Sequence, residues 1–216
     1  MTRLVLIRHG EAQVHVDGVL GGEKTCNGLS ELGRRQAEAL RDRLKSTGEL
    51  DPVAALYAST LPRAAETAEI IASALGHLDV RRQRDLREFD PGEGDGLTWE
   101  EFERRFPRPD AFDPSVPRAT GGESWVQFSA RVERALGAIV AAHPGETVVV
   151  ACHGGVIEQA FHLWGISVAT GVAIDIANTG ITEFLWADPW PWHQPADKSW
   201  RLVRHNDHAH LANLAN

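Results

Sequence analysis

Two histidines stand where apolar runs end in glycine. Arg8-His9-Gly10-Glu11 follows Leu4 to Ile7, and Cys152-His153-Gly154-Gly155 follows Thr147 to Ala151. A glycine beside a histidine lets another group approach the backbone closely. A neutral imidazole in such a place can act as base, metal ligand or nucleophile. One such histidine is commonly structural; two in matching contexts make that explanation less attractive. The glycine pair after His153 opens a helix whose first N–H groups favour an anion. Arg63, in Leu61-Pro62-Arg63-Ala64-Ala65-Glu66-Thr67-Ala68, also begins a helix, where a positive charge opposes the helix dipole. It is either a solvated charge or a planar fork for phosphate.

These side chains need a scaffold that brings them together. Leu4 to Ile7, Val53 to Ala58 and Thr147 to Ala151 read as strands buried on both faces. Ser30 caps a helix to about Lys45, with Leu32, Ala37, Leu40 and Leu44 on one face. Further helices are expected at Arg63 to Leu75, Thr98 to Phe106 with a capping box, from near Glu123, and from Gly154 to about Trp164. Residues 10 to 29 read as a loop, and residues 79 to 97 are charged and glycine-rich with Leu86 and Phe89 as apolar anchors. Ile181 to Trp186 and Trp200 to Val203 look like later strands flanking a Trp- and Pro-rich loop at 188 to 195. The alternation predicts an α/β domain: a three-layer α/β/α arrangement with a mostly parallel sheet and helices on both faces. Residues 1–216 form one domain, with a cap-like insertion at about 88–124 over the C-terminal strand ends. Ligands in open α/β sheets bind beyond those ends, and His9, Ser59 to Arg63 and His153 all fall there.

The 216 residues carry a formal net charge of -8, which argues against a nucleic-acid or anionic-membrane surface as partner. A small anion held by converging arginines is compatible with that balance. Two cysteines, Cys26 and Cys152, fit a reduced, cytoplasmic protein. The apolar run at residues 4 to 7 is too short for a signal peptide, and no stretch approaches a membrane span. A homodimer is compatible with these features. His205, His208 and His210 suggest a metal check, but no strict ligand spacing supports a site, so no metal is expected.

The motifs quoted above, with Leu29 to Ala37, Tyr57 to Ala68, Leu86-Arg87-Glu88 and Gly121-Gly122-Glu123-Ser124, occur in an order that resembles the histidine phosphatase superfamily, also called phosphoglycerate mutase-like. The resemblance runs from Leu4 to at least Phe184. It implies that His9 is a nucleophile attacking phosphorus in line. It implies that Arg8, Arg63 and His153 bind the phosphoryl oxygens and stabilise the charge of the transition state, and that Glu88 protonates the leaving oxygen and then deprotonates water. Such chemistry needs positioning and positive charge, which arginines supply without a metal or other cofactor. Asp90, Glu93 and Asp95 compete with Glu88, because the segment is acidic throughout. Gly154, His15, Glu11 and Asn178 are further candidates to line the substrate pocket. His15 stands where many members carry Asn, Val14 where Trp often precedes it, and Cys26 where many carry Asp.

The expected activity is hydrolysis of a small phosphorylated metabolite through a phosphohistidine at His9, releasing inorganic phosphate. A phosphoglycerate-type mutase shares the first step, but mutases of the superfamily are usually longer and carry the Trp-Asn pair that Val14-His15 replaces. A phosphate-binding regulatory protein without turnover is expected to lack one of His9, Arg8, Arg63, His153 and Glu88.

Overall fold

The computed structural model describes residues 1–164, 173–188 and 199–214. Six strands form one sheet: β1 (Thr2–Arg8), β2 (Ala55–Ser59), β3 (Val80–Gln83), β4 (Thr147–Cys152), β5 (Ile181–Ala187) and β6 (Ser199–Asp207), in the order β3-β2-β4-β1-β5-β6. β1, β2, β3 and β4 pair in parallel, whereas β5 and β6 run antiparallel to their neighbours. The sheet is therefore mixed. Its parallel part is the part that carries the two histidine motifs.

Alternate residues of the central strands face opposite layers. Leu4, Leu6, Val148 and Val150 pack with Phe128, Val132, Leu136, Ile157 and Phe161 of α5 (Trp125–Ala142) and α6 (Gly154–Leu163). Val5, Ile7, Leu56, Ala58 and Val149 pack with Leu40, Leu44, Ala68 and Ile71 of α2 (Glu31–Thr47) and α3 (Pro62–Ala72). Full burial of each of the Val, Leu, Ile and Phe side chains contributes on the order of 1.5–3 kcal/mol.

Local signals set the helix ends. Ser30 Oγ accepts from Gly33 N at 2.9 Å, and Gly48 closes α2 in the left-handed conformation. Thr98 and Glu101 form the capping box of α4 (Trp99–Arg105), and Ser124 and Gln127 form that of α5.

The expected 10–29 loop and the charged 79–97 stretch both contain regular structure. Residues 13–16 form a short helix, α1 (Gln13–Val16), seated by buried Val14. β3 lies within the 79–97 stretch; it is a charged edge strand with Arg81 and Arg82 exposed, so no apolar run announces it. Between Glu88 and Ser124, α4 and its loops form the region read as a cap. There Phe102 is buried against Phe106, and Trp99 is exposed. β6 continues to Asp207 because its polar residues enter an ion-pair network. Glu183 binds Arg3 and Arg204, Glu49 binds Arg43 and Arg204, and Asp207 binds Arg43 and Arg204.

Most of the Trp-rich loop, with Trp190 and Trp192, lies outside the described residues. Trp200 packs against Trp164 and Trp186. No helix among the described residues is long and apolar enough to cross a membrane.

Candidate active site

The parallel register sets the site. Ile7 and Ala58 both stand level with Ala151, so the next residues of three strands emerge side by side. His9 N donates to Cys152 O at 2.9 Å, and the rings of His9 and His153 have centroids 5.1 Å apart. The buried histidine pair thus occupies the carboxyl edge of β1 and β4.

The partners of His9 fix its tautomer. Nδ1 lies 2.6 Å from Gly10 O, a carbonyl that can only accept, so Nδ1 carries the proton. Nε2 then presents a lone pair, and Arg63 Nε donates to it at 3.1 Å. Burial, followed by the charge of Arg63, holds the His9 pKa well below the usual imidazole range. The ring is therefore neutral at physiological pH, as a nitrogen nucleophile must be. Its backbone is also held, because Asn178 Nδ2 donates to His9 O at 2.9 Å and Thr179 N donates to Arg8 O at 2.9 Å.

Arg63 is only 2 % exposed, which removes the solvated-charge explanation. Besides His9 it donates through Nη1 to Gly21 O at 2.9 Å. A buried cation at the positive end of α3 is unfavourable by itself, and a nearby anion relieves it. The Gly21 carbonyl is carried by a loop zipped to residues 96–97. Leu20 N donates to Leu97 O and Gly96 N donates to Leu20 O, both at 2.8 Å. Arg8 donates to Ile176 O, and its Nε is buried with no hydrogen-bond partner among the described residues. Burial lowers the Arg8 pKa, and nearby Glu88 opposes that effect.

His153 Nε2 lies 2.8 Å from Ser59 Oγ, which accepts from Leu61 N at 3.1 Å. With the hydroxyl proton directed at Nε2, the ring proton sits on Nδ1. That atom is buried and without a hydrogen-bond partner among the described residues, so it can donate to an anion. Burial and Arg63 also hold the His153 pKa well below the imidazole range. Gly154 faces Arg8, since a Cβ built there would stand 4.0 Å from Arg8 Nε.

Glu88 meets the start of α6. Its Oε2 accepts from Gly155 N at 3.0 Å, and its Oε1 accepts from Phe89 N at 2.9 Å. One of the α6 amides expected to face an anion is therefore bound to this carboxylate. The neighbouring acids are directed elsewhere: Asp90 caps Gly92 N, Glu93 pairs with Arg105, and Asp95 accepts from Gly22 N, Lys24 N and Thr25 Oγ1.

His15, on α1, has its ring centroid 5.8 Å from that of His9. The residue has an exposed edge, but partial enclosure of the ring, then Arg63 and Arg8, lower its pKa to about 4. Glu11 does not present a free carboxylate: its Oε1 accepts from Ser30 Oγ at 2.6 Å, which ties the loop to the α2 cap. Asn178 spends its amide N–H on the His9 carbonyl. Ser59 and the Gly21 carbonyl were not assigned roles from the sequence. Ser59 lay at a strand end, which is a signal, whereas a loop carbonyl offers none. Burial pushes the Cys152 thiol up, so it is no rival nucleophile.

The C-terminal histidines are engaged in separate hydrogen bonds. His205 meets Thr182 Oγ1 and Asp175 O, His208 meets Asn206 O, and His210 meets Thr179 Oγ1. Among the described residues no group of three His, Cys, Asp or Glu side chains is placed to share a metal ion.

Comparison with known proteins gives the family. The family model described as histidine phosphatase superfamily (branch 1) matches residues 4–208. The chain is 36% identical over 167 residues to a metal-independent phosphoserine phosphatase of Arabidopsis thaliana, covering 74% of this chain and 68% of that protein. It is 34% identical over 161 residues to a 2,3-bisphosphoglycerate-dependent phosphoglycerate mutase of Brucella anthropi, covering 70% and 75% respectively. The solved structure of a mycobacterial glucosyl-3-phosphoglycerate phosphatase superposes with a TM-score of 0.75 at 30% identity, covering 94% of this chain and 98% of that one. The chain belongs to the histidine phosphatase superfamily, branch 1.

Proposed function

We propose that the chain hydrolyses a small phosphomonoester without a metal ion, through a phosphohistidine on His9. The observation that carries this reading is the geometry of His9, whose Nδ1 lies 2.6 Å from Gly10 O and whose Nε2 faces Arg63 Nε at 3.1 Å, with the buried His153 ring 5.1 Å away. In the first displacement Nε2 attacks phosphorus while the ester P–O bond breaks. Protonated Glu88 gives its proton to the leaving oxygen. In the second, water attacks the phosphohistidine, Glu88 takes a proton from it, and the P–N bond breaks to return neutral His9 and inorganic phosphate. Arg8, Arg63 and the His153 Nδ1–H stabilise the charge on the transferring oxygens, the role that divalent ions fill in other phosphoryl-transfer sites. His15 and Gly154 line the same pocket, and the 88–124 region covers it.

The test is phosphate release from an aryl phosphate in excess EDTA by the wild type and by His9→Ala. Release by the wild type alone is expected, with acid-labile label on His9 after quenching. Retained release by His9→Ala overturns the covalent route, and a loss in EDTA restored by a divalent ion overturns metal independence. Isomerisation of a phosphoglycerate primed by a bisphosphate, with slow release to water, would mark a mutase instead.

A further inference from the structure

Arg131, on α5, is 8 % exposed and uses all five of its N–H groups. Nε and Nη2 grip the two oxygens of Glu123. Nη1 donates to Asp85 O at 2.9 Å and to Arg87 O at 2.7 Å, and Nη2 also donates to Glu88 O at 2.9 Å. Glu123 completes the grip from the other side, since its Oε1 accepts from Asp90 N at 2.7 Å and its own N donates to Asp90 O at 3.1 Å. The backbone on both sides of Glu88 is therefore held by one ion pair.

Burying such a pair costs desolvation that the mutual attraction only roughly offsets, and apolar side chains of similar volume commonly stabilise as well or better. Stability alone thus gives little reason for a charged pair here. Orientation gives a better one, because a rigid guanidinium fork fixes three carbonyls at once and a lysine ammonium does not reproduce that geometry. The carboxylate carried by this segment must meet a leaving oxygen within hydrogen-bond reach.

We propose that Arg131 and Glu123 are positioning residues that set Glu88 for proton transfer. The inference rests on the reading of Glu88 as acid and base, and it adds two residues remote from phosphorus to that role.

The experiment compares wild type, Glu88→Gln, Arg131→Lys, Glu123→Gln and the double variant Glu88→Gln/Arg131→Lys on 4-nitrophenyl phosphate and on a simple alkyl phosphate, with thermal unfolding of each. Arg131→Lys should keep aryl phosphate turnover within about threefold while alkyl turnover falls about 100-fold, the cost of misplacing a catalytic group by about 1 Å. Glu123→Gln should shift the two substrates in the same unequal way, by about tenfold on the alkyl ester. On the Glu88→Gln background, Arg131→Lys should cost no more than about twofold, because residues acting through one group are not additive.

Equal losses on both substrates, or a full further loss in the double variant, would overturn the positioning role. If Arg131→Lys does not fold, Glu123→Gln, alone and combined with Glu88→Gln, carries the same comparison. Should Glu88→Gln itself reduce both substrates equally, the acid reading falls and this inference with it. A selective Glu88→Gln beside unselective Arg131 and Glu123 variants defeats the positioning role alone.

Discussion

Gly155 stands where the acid meets the helix, and replacing it with alanine tests the placement of Glu88 directly. A Cβ built on Gly155 would lie 2.3 Å from Glu88 Oε1 and 3.2 Å from Phe128 Cζ. Ordinary contact begins near 3.4 Å, so the carboxylate must retreat by about 1 Å, and Phe128, itself closer than ordinary contact, leaves the added methyl little room to shift instead. That retreat also stretches the 3.0 Å bond from Gly155 N. A displacement of about 1 Å in a general acid costs on the order of 10²-fold, or about 2.7 kcal/mol of transition-state stabilisation. Gly155→Ala should therefore lose about 100-fold in kcat on an alkyl phosphate and only a few-fold on 4-nitrophenyl phosphate, whose leaving group needs little protonation. Helix α6 itself gains up to about 1 kcal/mol from alanine, so thermal stability should change little. Steady-state assays on the two esters, with Tm as the folding control, decide the matter. Undiminished alkyl turnover, or an equal fall on both esters, would refute the assignment of Glu88.

Folding stability should fall as pH drops below about 6.5. His9, His153 and His210 have depressed pKa values in the folded protein, His210 at about 4 through burial and then Arg43, so the unfolded chain takes up their protons first. Each contributes a slope of about 1.4 kcal/mol per pH unit between its unfolded and folded values. Urea midpoints at pH 7.5 and 5.0 should differ accordingly, and His210→Gln should flatten the slope by one proton; equal midpoints would contradict the burial. Gly137→Ala, on an exposed turn of α5 with nothing within 4 Å of the added methyl, should raise stability by up to about 1 kcal/mol without altering kcat. Glu183→Gln weakens the carboxylate shared by Arg3 and Arg204, while Arg204 keeps Glu49 and Asp207, and should lower stability by about 1 kcal/mol, read by denaturant midpoint, with activity per folded molecule retained.

What the sequence revealed and what it hid divide along physical lines. The central strands carry unbroken aliphatic runs because both of their faces are buried, and the site residues sit at the ends of those runs. Pattern alone therefore brought His9, Arg63 and His153 to one edge of the sheet. β3 and the last four of the nine residues of β6 escaped because their polar residues are held by ion pairs and an open edge, so no apolar periodicity marks them. Glu11 and Asn178 illustrate a second limit. Side-chain type placed them near the pocket, but only coordinates show that Ser30 engages one and the His9 carbonyl the other. Arg131 was hidden for a third reason: a buried arginine on an otherwise amphipathic helix reads as part of its solvated face.

The bond from Arg63 Nε to His9 Nε2 has a consequence for selectivity. An uncharged acylating or alkylating reagent offers the guanidinium nothing to turn towards, so it meets a histidine whose lone pair is already occupied. In the proposed reaction a phosphate dianion would draw the same guanidinium onto its own oxygens and expose the nitrogen as it arrives. On the proposed mechanism the site would thus screen by charge before it responds to reactivity, the nucleophile being shielded from neutral electrophiles by the group that recruits the substrate.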